Sequence, residues 1–346
     1  MSKSGPAKQA SRPDVKVSIL MPVFNAENTL HDCLQSIREQ SLTDYELIAI
    51  DDNSTDNSLA ILKSFDDPRI RVFKNEEKGI VSALNMGLKL CRSDLVARMD
   101  ADDVMYQARL EKQFQLMQAQ PSLTLCATQA RKFPEDAIRA GFAEYMHWQN
   151  ACLSSQDISD QIYIESPFVH PTVMFRKHRV IELGAYRDGA FPEDYELWLR
   201  LFHAGESMMK IDQVLLDWRE SDSRLSRTSS RYSAAAFEQL RADYLARDPR
   251  LQNREIVFWG AGRKTRQRTS YLIEKGIRPS AWIDIDSNKA GNEYHGAKTH
   301  MPGWLQQLER KPLVLNYVRN HGAREKCRQF LDNASYVMGR DYLDVA

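Results

Sequence analysis

No two of the five cysteines (Cys33, Cys91, Cys126, Cys152 and Cys327) form a CxxC pair, and their number is odd. Neither a cysteine zinc site nor a disulfide framework is expected, and a reducing compartment fits. Charge of one sign is also lacking. Lys+Arg and Asp+Glu stand at 47 each, so bulk charge gives no reason to expect a nucleic-acid or membrane-surface partner. No stretch approaches the ~18 apolar residues of a membrane span. The N-terminal "MSKSGPAKQASRPD" has no apolar segment of the secretory type, so it is not read as a signal peptide. A cytoplasmic protein is expected, one that works at a membrane only as a peripheral visitor.

What is present is enough apolar material for real cores: 42% of 346 residues, a length that suggests two domains or three. Residues 1–15 read as a disordered tail, rich in Ser, Lys, Gly and Pro. From 16 to 103, strand-like and helix-like patterns alternate. "VSILMPV" is an apolar run stopped by Pro22, and "YELIAI", "RIRVF" and "DLVARM" are further strands. Between them, Leu30, Cys33, Leu34 and Ile37 share one helical face, and "NSLAILKSF" and "GIVSALNMGLKLC" are helical. This alternation predicts parallel βαβ units. Residues 104–220 are less regular, with helices at "YQARLEKQFQLMQAQP" and "YELWLRLFHAG" and strands at "LTLCAT" and "IDQVLLDWR". The polar "ESDSRLSRTSSRY" and a helix to residue 250 read as a linker. The βα pattern restarts at 251 and runs to 346, a second and smaller α/β domain after a first at 16–220.

In an open parallel sheet, ligands sit beyond the carboxyl ends of the strands. Pro22–Asn25, Asp51–Ser54 and Asp100–Asp103 should therefore gather in one place. The stretch "LVARMDADD" sets Asp100, Asp102 and Asp103 directly after a strand. Carboxylates crowded this way repel, and a hard cation such as Mg²⁺, which takes one or two carboxylates plus substrate phosphates, would cancel the repulsion. The competing reading is a solvated turn or a helix N-cap. In "IDDNSTDNS", an Asx turn and N-cap account for Ser54–Asn57; Asp51–Asp52 fit a carboxylate facing a base or ribose better.

Taken in order, "VSILMPVFNAENTLHDCLQSIREQSLTDYELIAIDDNSTDNS", "KGIVSALNMGLKLCRSDLVARMDADD", "SPFVHPTVMFRK", "PEDYELWLRL" and "WRESDSRLS" resemble a family 2 glycosyltransferase over roughly residues 16–228. The resemblance implies an α/β architecture with the GT-A nucleotide-diphospho-sugar transferase fold. It places Pro22, Phe24 and Glu27 at the nucleotide base and ribose, with Phe24 flanking the base. Asp52 would read the base edge, and Gly79 and Asn85 would approach the ribose and diphosphate. Asp100 and Asp102 match the D-x-D pair that holds Mn²⁺ or Mg²⁺, Asp102 as the direct ligand. Asp194 matches the catalytic base, while Glu193, His170, Trp198 and Arg219 fall near the acceptor or diphosphate. The bland readings stay open: N-capping for Glu193-Asp194, a core histidine for His170, a core residue for Trp198. Leu84 replaces an Arg common in relatives, and Gln107 a Pro.

In the second region, "VFWGAGRKTRQ" begins like a dinucleotide fingerprint, but Thr265 stands where the third glycine belongs. Asp284 and Asp286 end the next strand, where a ribose-binding acid would sit. A Rossmann-like accessory fold without catalysis is expected, one that either binds a nucleotide or serves as a docking module. The function read here is inverting, metal-dependent transfer of a sugar from a nucleotide-diphosphate donor, UDP-linked, to a hydroxyl of a glycan or lipid-linked acceptor in polysaccharide or glycoconjugate synthesis. An NAD(P)-dependent oxidoreductase and a non-catalytic nucleotide-sugar binder are the alternatives. A homo-oligomer or a docking partner on the C-terminal domain is a further expectation.

Overall fold

The computed structural model describes residues 15–133, 140–220 and 224–346. The tail expected at 1–15 lies, up to residue 14, outside the described residues. The chain enters through β1 (Val17–Val23), α1 (Leu30–Arg38), β2 (Tyr45–Asp51), α2 (Ser58–Ser64), β3 (Ile70–Lys74), α3 (Ile80–Leu90) and β4 (Leu95–Arg98). It continues as β5 (Val104–Met105), α4 (Arg109–Ala119), β6 (Leu123–Phe133), α5 (Ala140–Ala151), α6 (Ser155–Gln161), β7 (Met174–Arg176), α7 (Lys177–Glu182), α8 (Glu193–His203) and β8 (Ser207–Arg219). These strands form one sheet in the order β3-β2-β1-β4-β7-β6-β8-β5. The first four are mutually parallel. β7 then runs antiparallel to both β4 and β6.

β1 and β2 are buried at all seven positions each, as central strands covered on both faces should be. The apolar face of α1 (Leu30, Cys33, Leu34, Ile37) is buried as its spacing predicts. Gly87 lets α3 lie flat on β1, because a Cβ there would meet Leu20 Cδ1 at 2.0 Å.

Pro22 differs from expectation. It does not stop β1 but lies inside it, opposite Ile50 of β2. The Leu20 carbonyl accepts from Met99 N–H, so Leu20 faces β4, and by alternation Pro22 does too. β4 has ended at Arg98, so no ladder bond is lost where proline has no N–H. The gap that proline tolerates is the crevice where the strand order reverses, the position where open α/β sheets bind ligands.

The remainder is α9 (Leu225–Thr228), α10 (Ala234–Leu245), β9 (Ile256–Trp259), α11 (Arg263–Glu274), β10 (Ala281–Ile283), β11 (Glu293–Tyr294), β12 (Ala297–His300), β13 (Leu313–Asn316), α12 (His321–Asn333) and β14 (Tyr342–Asp344). A second, smaller sheet has the order β11-β12-β10-β9-β13-β14. The segment expected as a linker is instead a packing wedge. One buried cluster runs from Leu20 and Trp198 through Leu240 and Leu245 of α10 to Phe258, Leu272 and Leu343. Arg241 Nη1 donates to the Val345 carbonyl at 2.7 Å, and Arg328 Nη2 to Gln161 Oε1 at 3.1 Å. The two sheets are thereby joined by apolar packing and by hydrogen bonds.

Candidate active site

Loops after β1 and β2 are pinned to each other by side chains. Asn25 Oδ1 accepts from Thr55 N–H at 2.8 Å, and Glu27 Oε2 from the backbone and side-chain N–H of Asn57 at 3.0 and 2.9 Å. In return Asp56 Oδ2 accepts from Glu27 N–H at 3.0 Å. Glu27 therefore shapes the loop. Phe24 projects from it, 47% exposed, with Lys78 Nζ 4.6 Å from its ring centre. Phe24 thus presents an exposed aromatic ring at a strand's end, with a cation against its face.

Asp52 is buried. Its carboxylate accepts from Gly79 N–H at 2.9 and 3.0 Å and from Asn75 Nδ2 at 2.7 Å. Gly79 precedes α3 with φ 136° and ψ 147°, a region open essentially to glycine alone. Asp52 thus fixes the entry to α3. Asn85 lies further along that helix, and its amide is taken up by Tyr186: Nδ2 donates to the Tyr186 carbonyl at 2.8 Å and Oδ1 accepts from Tyr186 N–H at 3.0 Å. It ties α3 to the loop before α8 rather than lying at the helix start. Leu84 is fully buried, so that position faces the core.

After β4, oxygens of Asp100, Asp102 and Asp103 lie within 4.8 Å of one another. Asp103 is fully buried; Oδ1 accepts from Arg219 N–H at 2.8 Å, while Oδ2 has no hydrogen-bond partner among the described residues. Arg219 also donates from Nε to the Asp102 carbonyl at 2.7 Å, and its guanidinium lies 5.0 Å from the Phe133 ring centre. It clamps the acidic loop from β8. Burial and the charge of Asp100 push the Asp102 carboxyl up to about 6, against the pull of Arg224. Burial and both neighbouring acids hold Asp103 well above the ordinary carboxyl range. Three crowded hard oxygen donors, one of them with a buried oxygen that has no hydrogen-bond partner among the described residues, fit a Mg²⁺- or Mn²⁺-type ion.

Asp194 stands in the first turn of α8, its Oδ1 accepting from Tyr195 N–H at 2.7 Å. Burial and the charge of Glu193 push its carboxyl up to about 7. Glu193 is buried, accepting from Tyr232 O–H at 2.6 Å, with Arg231 Nη1 at 3.6 Å. The "TSSRY" stretch of the supposed linker therefore folds back onto the start of α8. Arg224 stacks 4.0 Å from the Trp218 ring centre.

His170 and Trp198 do not line an open cleft. Trp198 is 0% exposed and packs on Phe168 and His170, with centroid distances of 5.7 and 5.8 Å. It is a core residue, not an acceptor wall, because the helical face that it shares with Tyr195 and Leu199 is buried. His170 Nε2 bonds Tyr186 Oη at 2.9 Å. Burial, with Arg98 nearby, holds the imidazole well below its usual pKa, so it is a neutral histidine under the site.

Sequence reasoning missed Arg98 and Arg109. Both are buried behind the acids, Arg98 Nη2 on Asp100 Oδ1 at 2.6 Å and Arg109 Nη2 on the Arg98 carbonyl at 2.8 Å. The signal was an arginine inside the apolar run "LVARM". Arg98 also acts electrostatically on both Asp100 and Asp194.

In the second sheet, Asp284 is engaged. It accepts from Ala261 N–H at 2.8 Å, Asp286 N–H at 3.0 Å and Lys289 Nζ at 3.1 Å. At the strand end where a ribose-binding acid would sit, this carboxylate braces the glycine turn.

A parallel β3-β2-β1-β4 half, with acids at the strand ends and a crevice at the β1/β4 reversal, defines the GT-A nucleotide-sugar transferase fold. A crystal structure of S. aureus TarS 1–349 in complex with UDP-GlcNAc is similar at a TM-score of 0.53 and 15% identity, covering 67% of this chain and 72% of that one; at that identity the likeness is one of fold. Residues 18–183 match the model of glycosyl transferase family 2. The amylovoran biosynthesis glycosyltransferase AmsE of Erwinia amylovora is 32% identical over 207 residues, 58% of this chain and 75% of that one. The UDP-Gal:alpha-D-GlcNAc-diphosphoundecaprenol beta-1,3-galactosyltransferase of Escherichia coli is 29% identical over 235 residues, 66% of this chain and 82% of that one. The chain belongs to glycosyltransferase family 2. Among the described residues no helix is long and apolar enough to cross a membrane.

Proposed function

We propose that this chain is an inverting, cation-dependent glycosyltransferase that moves a hexosyl or N-acetylhexosaminyl group from a UDP-sugar to a hydroxyl of a lipid-linked or growing glycan. The observation that carries the reading is the acid triplet at the end of β4, its oxygens within 4.8 Å and one of them buried without a hydrogen-bond partner among the described residues. Asp100 and Asp102 would hold Mn²⁺ or Mg²⁺, which when bound supplies Lewis-acid stabilisation of the departing diphosphate. Phe24 stacks on the base. Asp52 sets the backbone that faces the ribose. Asp194 takes the proton of the acceptor hydroxyl as its oxygen bonds to the anomeric carbon. The bond to the nucleotide diphosphate breaks on the opposite face, which inverts the centre. A carboxyl near pH 7 suits a general base, whose best pKa lies near the working pH. Relatives named for amylovoran and O-antigen biosynthesis, and one acting on GlcNAc-diphosphoundecaprenol, support a surface-glycan acceptor, met by a protein that visits the membrane face.

Thermal denaturation against a panel of UDP- and GDP-sugars, with Mn²⁺ or with EDTA, tests the reading. A donor at ~100 times its Kd adds about 2.7 kcal/mol of stability, visible as a rise in Tm. The rise is expected with a UDP-sugar, only with Mn²⁺, and is lost in Asp102→Ala. A donor that stabilises equally in EDTA sinks the cation clamp.

A further inference from the structure

Arg98 is the anomalous residue of β4. Its backbone sits in the ladder opposite Leu20, with N–H donating to the Val173 carbonyl. Its side chain is 2% exposed, among the largest fully buried ones in the protein. Nη2 donates to Asp100 Oδ1 at 2.6 Å, Nη1 to the Met99 carbonyl, and Nε has no hydrogen-bond partner among the described residues. The buried Arg109 holds the Arg98 carbonyl from behind at 2.8 Å. Tyr186, tied by its hydroxyl to His170, and the Glu193–Asp194 pair lie within the field of the same guanidinium. A buried guanidinium with an unmatched donor is costly, and packing alone gives no reason to place one among Leu95, Val96 and Ala97. What its position does give is a positive charge bonded directly to the first of the three acids.

Resting on the cation-dependent reading above, we propose that Arg98 is a positioning residue that holds the Asp100 carboxylate ready for the divalent cation and competes with that cation for Asp100 Oδ1. The competition has a signature that a purely structural role lacks. Removing the guanidinium frees an oxygen ligand and deletes a positive charge next to the cation site, so the cation should bind more tightly while transfer slows. A loosened fold would weaken both.

The test is Mn²⁺ titration of the full chain without nucleotide, followed by the EPR signal of free Mn²⁺, for wild type, Arg98→Met and Arg98→Lys, with transfer rates alongside. Arg98→Met is expected to bind Mn²⁺ on the order of tenfold more tightly and to turn over at least about tenfold more slowly. Arg98→Lys keeps the charge and is expected to stay within about twofold of wild type in Mn²⁺ affinity while recovering part of the rate. Should Arg98→Met melt below the assay temperature, Arg98→Gln carries the same expectation. Unchanged or weaker Mn²⁺ binding in the neutral variants, beside normal binding by wild type, overturns the assignment of Arg98. No Mn²⁺ binding by wild type overturns the cation-dependent reading itself.

Discussion

Replacing Asp194 by Asn should cost activity and add stability, and the two effects should have different pH dependences. The carboxyl is raised from its ordinary 3.8 to about 7 by burial and by Glu193. Between those values the unfolded chain has released this proton and the folded chain still holds it. Folding stability therefore falls as pH rises through that window, and above about pH 7 the penalty is complete. The full shift would correspond to roughly 4 kcal/mol at 1.36 kcal/mol per pH unit. Asp194 is only half-buried, so water screens part of this, and about 1–2 kcal/mol is the expected penalty. Asn is isosteric, accepts the same Tyr195 N–H, and cannot ionise. Differential scanning fluorimetry should therefore show Asp194→Asn melting about 2–4 °C above wild type at pH 8, with the gap closing towards pH 4. Transfer should fall by about 10²–10⁴-fold, the usual worth of a general base, and the wild-type rate should decline about tenfold per unit below pH 7. Two results would refute the reasoning: turnover surviving in the variant, or a melting gap that does not change with pH.

Two further substitutions separate shape from chemistry. Gly79→Ala meets nothing within 4 Å of the new Cβ, so its cost is the backbone strain at φ 136°, about 1–3 kcal/mol. It should lower donor affinity by disturbing the Asp52 contact, measured by titration calorimetry; unaltered affinity would show that this amide does not set the donor loop. Trp198→Ala should destabilise by about 3–5 kcal/mol in urea unfolding, as loss of a buried aromatic does. An effect on acceptor KM without loss of stability would contradict its place in the core.

Long, strongly patterned elements could be read from the chain alone. The four parallel strands and the helices between them follow from apolar runs and 3.6-residue periodicity, both of which are local. Asp100, Asp102 and Asp103 are adjacent in sequence, so their crowding needed no tertiary information. β5 and β11 are two residues long, too short to carry a pattern. Their existence depends on a neighbour offering a free strand edge.

The opening "VSILMPVFNAENTLHDCLQ" and "LVARMDADD" determined the class of sheet, the strand ends at which a ligand is met, and the acids available there. Only the tertiary structure decided which polar residues surround the acids and which turn inward. Arg219 reaches Asp103 across 116 positions of chain, and Tyr232 reaches Glu193 across 39. Trp198 and Asp194 share one helix, yet one is sealed in the core and the other stands at the helix end. Spacing along a helix says which side chains share a face; what that face meets depends on packing partners distant in sequence.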